Sequence, residues 1–180
     1  MLMSGLSVPI GPGFSGARAG YDLLPAGLAG ESLEVIAVDL TMRNLSLVFV
    51  AGCWGALWNS LAVWLGGYLG IAPALGVQIA PPLTTPFLYA KLVWGGIWSL
   101  LFLLPMSRWS FPARGLLYSL APTLVQLCLV FPVMAQKGFF GLQLGYLTPL
   151  FVLLYNAIWG YAAGWWLSWV TMNNRAVQVG

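Results

Sequence analysis

From Ser46 onward the chain contains no aspartate, glutamate or histidine, and four apolar runs fill most of that length. The runs cover about 46–68, 87–104, 115–135 and 147–170. Each comes close to the roughly 20 apolar residues that an α-helix needs to cross a hydrocarbon core. Lipid offers the backbone no hydrogen-bond partners, so such runs must satisfy their own amides and carbonyls, as helices do. Charged residues are 6% of the chain and hydrophobic ones 60%. A soluble domain carries about 25% charged residues, so this chain has too little polar surface for water. The expected fold is an all-α integral membrane protein, with four transmembrane helices in an up-down bundle over residues 46–171.

The flanking segments read differently. Residues 1–30 are rich in Gly, Pro and Ser, as in Pro9-Ile10-Gly11-Pro12-Gly13, and both Gly and Pro oppose regular helix. An irregular N-terminal arm is expected there. From Glu31 to Arg43, Leu33, Ile36, Ala37 and Leu40 recur at helical spacing, with Glu34 and Asp39 off that face. This pattern predicts a short interfacial amphipathic helix, completing an N-terminal segment of residues 1–45. A polar lead-in to the first span is the alternative. The first 20 residues lack a basic stretch followed by an apolar one, so no cleavable signal peptide is expected. Residues 172–180 form a polar tail.

Proline and glycine punctuate the connections. The segment 70–86 is apolar but broken by Pro73, Pro81 and Pro82, so it is expected to dip into the membrane or lie on its surface. Pro86 and Pro105 bracket the second run, and Pro122 inside the third predicts a kink. Phe139 and Phe140 in the connection 136–145 suit an interfacial contact. With the N-terminus in the cytoplasm, Arg18, Arg43, Arg108, Arg114 and Arg175 lie inside, and Lys91 and Lys137 outside. Five basic residues against two favour cytoplasmic N- and C-termini, although Arg18 is far from any span and counts little. Inside-positive arginines suit a multi-pass protein of a bacterial inner (plasma) membrane.

Trp-Gly pairs recur at Trp54-Gly55, Trp94-Gly95 and Trp159-Gly160. Each run also carries a stripe of small or polar residues at helical spacing. The stripes are Gly52, Gly55, Ala56, Asn59, Ala62 and Gly66 in the first run, and Lys91, Gly95 and Ser99 in the second. The third run has Gly115, Ser119, Thr123 and Gln126, and the fourth Asn156, Gly160, Ala163 and Gly164. Small residues let helix backbones approach in lipid, and amides bridge helices by hydrogen bonds. Gly55, Gly95, Gly96, Gly160 and Gly164 are therefore expected at helix contacts. At about 1.5 Å per residue, Asn59 and Gln126 both lie roughly 20 Å from the inner face, and Gly95 and Asn156 roughly 14 Å from the outer one. In a core about 30 Å thick these positions meet near one level.

That convergence has two readings. In one, the amides are packing glue. In the other, Asn59, Gln126 and Asn156 line a ligand cavity walled by Trp58, Trp94, Trp98 and Trp159. Tryptophan usually sits at membrane interfaces, so rings at mid-depth suit either space-filling beside glycines or stacking on a bound lipid, quinone or polyene pigment. Lys91 lies about five residues below the outer end of its span, where it can snorkel to the headgroups. In the functional reading Lys91 and Lys137 together hold an anionic headgroup.

The missing residue types exclude more than the present ones assign. The acids are Asp22, Glu31, Glu34 and Asp39, all ahead of the first span. Proton-coupled transport draws on intramembrane carboxylates or histidines, and haem or zinc sites built on those ligands are not expected. A Ser-His-Asp triad needs a histidine, and Lys91 stands roughly 12 Å along the helix from Ser99 by the same rise, beyond the reach of a nucleophile–base pair. Cys53 and Cys128 fall at different depths, which suits neither a disulfide nor a shared metal. The net charge of +3 is too small and scattered for a nucleic-acid surface.

These residues lead to a non-catalytic membrane protein. It is expected to be an accessory or scaffold subunit of a larger inner-membrane complex, or a binder of lipid or another hydrophobic ligand. Its partners would be membrane lipids and other integral membrane subunits or copies of itself. A passive facilitator or channel for a small neutral solute, as an oligomer, is the alternative. An enzyme acting on a lipid or isoprenoid has least support.

Overall fold

The computed structural model describes the backbone of residues 26–106 and 108–177, and side chains from 41 to 172 except Ser107. Two units are distinguished, Met1–Thr41 and Met42–Gly180. The expected irregular arm and the interfacial amphipathic helix fall mainly in the first unit and, apart from the helical backbone beginning at Ala26, outside the described residues. The second unit carries the four apolar runs.

All regular structure among the described residues is helical. Four helices are long and apolar enough to cross a membrane: Thr41–Tyr68, Thr85–Leu103, Phe111–Met134 and Thr148–Met172. They fall on the four apolar runs of the sequence. The first belongs to α1 (Ala26–Tyr68). It stops where Gly70 turns left-handed at φ 72° and donates its N–H to Gly67 O at 3.0 Å; glycine adopts that conformation without steric cost. A one-turn helix, α2 (Ile71–Ala74), comes next, and then an extended stretch to Thr84.

The second long helix is α3 (Thr85–Trp98), which tightens into a 3-10 turn over Ser99–Leu103. Thr84 caps its start by accepting from Phe87 N–H, and Pro86 sits in the first turn, where a missing donor does no harm. Arg114 closes its far end, donating from one guanidinium nitrogen to Phe102 O at 2.7 Å and Leu104 O at 2.9 Å. Those are carbonyls that a helix C-terminus leaves without intrahelical partners.

The third long helix changes pitch along its length, as α4 (Phe111–Tyr118), α5 (Leu120–Val125) and a π-helical stretch over Gln126–Met134. Its two prolines explain the breaks. Pro122 has no N–H for Tyr118 O, and the interruption falls at Ser119 between them. Pro132 would clash with the carbonyl four residues back, and the wider π turn relieves that contact; Ala135 N–H bonds Val130 O, five residues back, at 2.8 Å. Two short turns over Phe139–Leu144, kinked where Phe140 and Gly141 take positive φ, lead to α6 (Thr148–Val177), the fourth long helix.

Small residues set the contacts between these helices. A Cβ at Gly52 would run into Gly95 O and Ser99, one at Gly55 into Trp159 O, and one at Gly95 into Ala56. Gly96 lies under the Phe49 ring, Gly115 and Gly160 each face the other's carbonyl, and Gly164 meets Phe111 O. All the glycines expected at helix contacts are at such contacts. The small or polar stripes are buried or half-buried throughout, whereas Leu65, Leu103, Leu124, Leu150 and Leu154 are exposed.

Candidate functional site

Where the four stripes meet, α1 and α6 are tied by two hydrogen bonds. Asn59 Nδ2 donates to Tyr155 O at 2.6 Å, and Trp159 Nε1 to Gly52 O at 3.1 Å. A third link runs from α6 to the broken third helix, where Asn156 Nδ2 donates to Thr123 Oγ1 at 3.1 Å and lies 3.5 Å from Gln126 Oε1. The Thr123 hydroxyl in turn donates a hydrogen bond to Ser119 O at 2.7 Å. The two asparagines, at adjacent heights on α1 and α6, thus each grip a neighbouring helix.

Beside these bonds lies a cavity of about 430 Å³, lined by Asn59, Gln126 and Asn156 together with Lys91. Its apolar wall includes Val63, Phe87, Phe131, Val152 and Tyr155, and Gln78, Ile79, Ala80, Pro81 and Leu144 complete the lining. Such a volume lies within the roughly 300–1,000 Å³ of small-molecule sites. Asn59 is 3% exposed, and its Oδ1 has no hydrogen-bond partner. The bond from Nδ2 to Tyr155 O fixes which end of the amide is which. The Tyr155 hydroxyl, packed against Gly66, is also buried without a partner.

Part of the lining comes from two segments whose sequences read as loops. The stretch after α2 folds back over the cavity: Ala72 and Val77 are fully buried, and Gln78 N–H donates to Leu144 O at 2.7 Å. The partner segment is folded by Lys137 N–H to Phe131 O at 2.8 Å and Gln143 N–H to Lys137 O at 3.2 Å. Gly145 at φ 130° lies so close to Gly76 O that any Cβ would overlap it. The 70–86 segment therefore closes one side of the site. An extended, proline-bearing segment carries no helical periodicity, so no sequence signal assigned Gln78, Ile79 or Pro81 to the site.

The expected tryptophan wall is not where the carboxamides are. Trp58 is 47% exposed and lines an outward apolar groove with Trp54, Leu116, Leu154, Tyr161 and Trp165. Trp94 is 59% exposed, Trp98 is half-buried, and neither reaches the cavity. Trp159, 4% exposed, is spent on its bond to Gly52. The reason is angular: on α1, Trp58 is next to Asn59 and so points about 100° away from it at 3.6 residues per turn. Phenylalanines, Tyr155 and aliphatic side chains take the place of the indoles.

Lys91 is half-buried, with Nζ 5.9 Å from the centre of the Phe87 ring. Lys137 is exposed on the turn after the π-helical stretch and does not line the cavity with Lys91. Cys53 is half-buried, its Sγ 3.5 Å from Leu92 O, and Cys128 is exposed. Among the described residues no group of His, Cys, Asp or Glu is placed to hold a metal ion. No family model matches the chain, and no curated protein or solved structure matches it.

Proposed function

We propose that this protein is a non-catalytic membrane protein that binds a small amphipathic molecule drawn from the bilayer. Its four long helices cross a bacterial inner membrane as an up-down bundle, with both termini in the cytoplasm. The contact pairs favour that arrangement: Gly52 with Ser99 and Cys53 with Leu92 run in opposite directions along α1 and α3, as do Gly66 with Tyr155 and Gly55 with Ala163 along α1 and α6. The single observation that carries the binding reading is the meeting of Asn59, Lys91, Gln126 and Asn156 on one cavity of about 430 Å³. Carboxamides serving packing alone would satisfy one another, yet Asn59 keeps a buried, unpartnered acceptor. The outward groove of Trp54, Trp58 and Trp165 suits contact with acyl chains or another membrane subunit, as an accessory protein requires.

Purification from native membranes in mild detergent, with mass spectrometry of co-eluting small molecules, tests this. A near-stoichiometric molecule retained by the natural chain and lost from an Asn59→Leu/Asn156→Leu variant that still folds is the expected result. The same bulk lipid in both preparations contradicts the proposal.

A further inference from the structure

Lys91 brings the cavity its one formal charge, and the unit from Met42 to Gly180 contains no carboxylate side chain to neutralise it. Lys91 makes no ion pair among the described residues, and at 5.9 Å the Phe87 ring stands at the long edge of cation–π range. A cation in a low-dielectric bundle is costly unless a partner charge or a route to water offsets it. The lining also carries amide and hydroxyl groups able to donate to a bound acceptor. Asn156 Nδ2 is engaged by Thr123, and Gln126 Oε1 faces Asn156, which turns the Gln126 carboxamide nitrogen, a two-proton donor, away from that bond. The Lys91 ammonium has three protons to donate and accepts nothing. Two buried oxygens of the lining are without partners, Asn59 Oδ1 and the Tyr155 hydroxyl, and the hydroxyl can donate as well as accept.

Resting on the binding reading above, we infer that the cavity selects an amphiphile with one negative charge, a carboxylate on an apolar chain. The carboxylate is an acceptor-only group that meets the Lys91 ammonium and the Gln126 amide by charge-assisted hydrogen bonds. The apolar chain lies against Val63, Phe87, Phe131 and Val152. One lysine neutralises one charge, which fits a carboxylate better than a doubly charged phosphate head.

The test is saturable binding of radiolabelled decanoate and of decanol to the full chain in nanodiscs of zwitterionic lipid. Decanoate is expected to saturate at one per chain and to bind more tightly than decanol. Lys91→Met should weaken decanoate by about ten-fold or more, the range seen when one partner of a close charge pair is truncated, and change decanol less than about two-fold. Lys91→Arg, which keeps the charge, should restore most decanoate affinity. Equal affinity for the two probes, or an unchanged decanoate preference in a folded Lys91→Met chain, overturns the anion inference and leaves the amphiphile reading standing. Saturable binding of neither probe overturns both.

Discussion

Asn59 Nδ2 donates to the main-chain carbonyl of Tyr155 at 2.6 Å. The acceptor already belongs to α6, so the asparagine adds a second donor to a helical carbonyl. One amide thereby joins two helices and presents its remaining oxygen beside Lys91, Gln126 and Asn156. Packing and recognition share the same side chain, and substitutions can separate the two.

Asn59→Leu removes the bond to Tyr155 but fills the same volume. It should cost about 1 kcal/mol of stability, the usual scale for a polar contact between membrane helices, while binding of the cavity ligand falls far more. Unfolding followed by tryptophan fluorescence in mixed micelles, beside ligand retention, measures both. Loss of stability with retention unchanged would make Asn59 packing glue.

Gly115 and Gly160 each face the other's carbonyl, so a methyl group at either position separates α4 from α6. Gly115→Ala and Gly160→Ala should each cost about 1–3 kcal/mol, as overpacking does. Both act by opening one interface, so the double variant should cost less than their sum. Thermal unfolding of the two single variants and the double variant in one detergent checks this.

Arg114 holds Phe102 O and Leu104 O at the end of α3. Arg114→Met leaves those carbonyls without their donor and should cost about 2–3 kcal/mol, the scale of hydrogen bonds to charged groups. Arg114→Lys should recover part of that, since a single ammonium cannot reproduce the guanidinium fork. Denaturation midpoints of the three proteins compare them directly.

The tryptophans divide by what they touch. Trp159→Phe loses the bond to Gly52 and should cost about 1 kcal/mol. Trp58→Phe and Trp94→Phe, both exposed, should stay within about 0.5 kcal/mol. None of these changes touches the cavity lining, so ligand affinity should move less than about two-fold in all three. A large loss of binding in Trp94→Phe would return that ring to the site.

The four long helices were legible because apolar length is a direct reading of what a helix needs to cross lipid. The meeting of Asn59, Gln126 and Asn156 was also legible, since a rise of about 1.5 Å per residue converts sequence position into depth. Depth alone does not say which way a side chain points around its helix. Trp58 shares a level with Asn59 and yet faces the outward groove. Depth likewise does not show that Lys91, one turn after Phe87 on α3, lines the cavity together with that ring. The lining from Gln78 to Pro81 was hidden because its placement rests on contacts between segments far apart in sequence, among them the backbone bond from Gln78 to Leu144. The π-helical stretch was hidden too. Pro132 announces a disturbance, but the sequence does not say whether the chain kinks there or widens.

Whether the carboxamide cavity is a binding site can be decided by a crystal structure of the full chain grown from a lipidic phase. Density for a non-protein molecule bounded by Asn59, Lys91, Gln126 and Asn156, with its polar end toward the carboxamides, is the expected result. Those side chains closed upon one another, with no space between them for a ligand, would refute the binding reading.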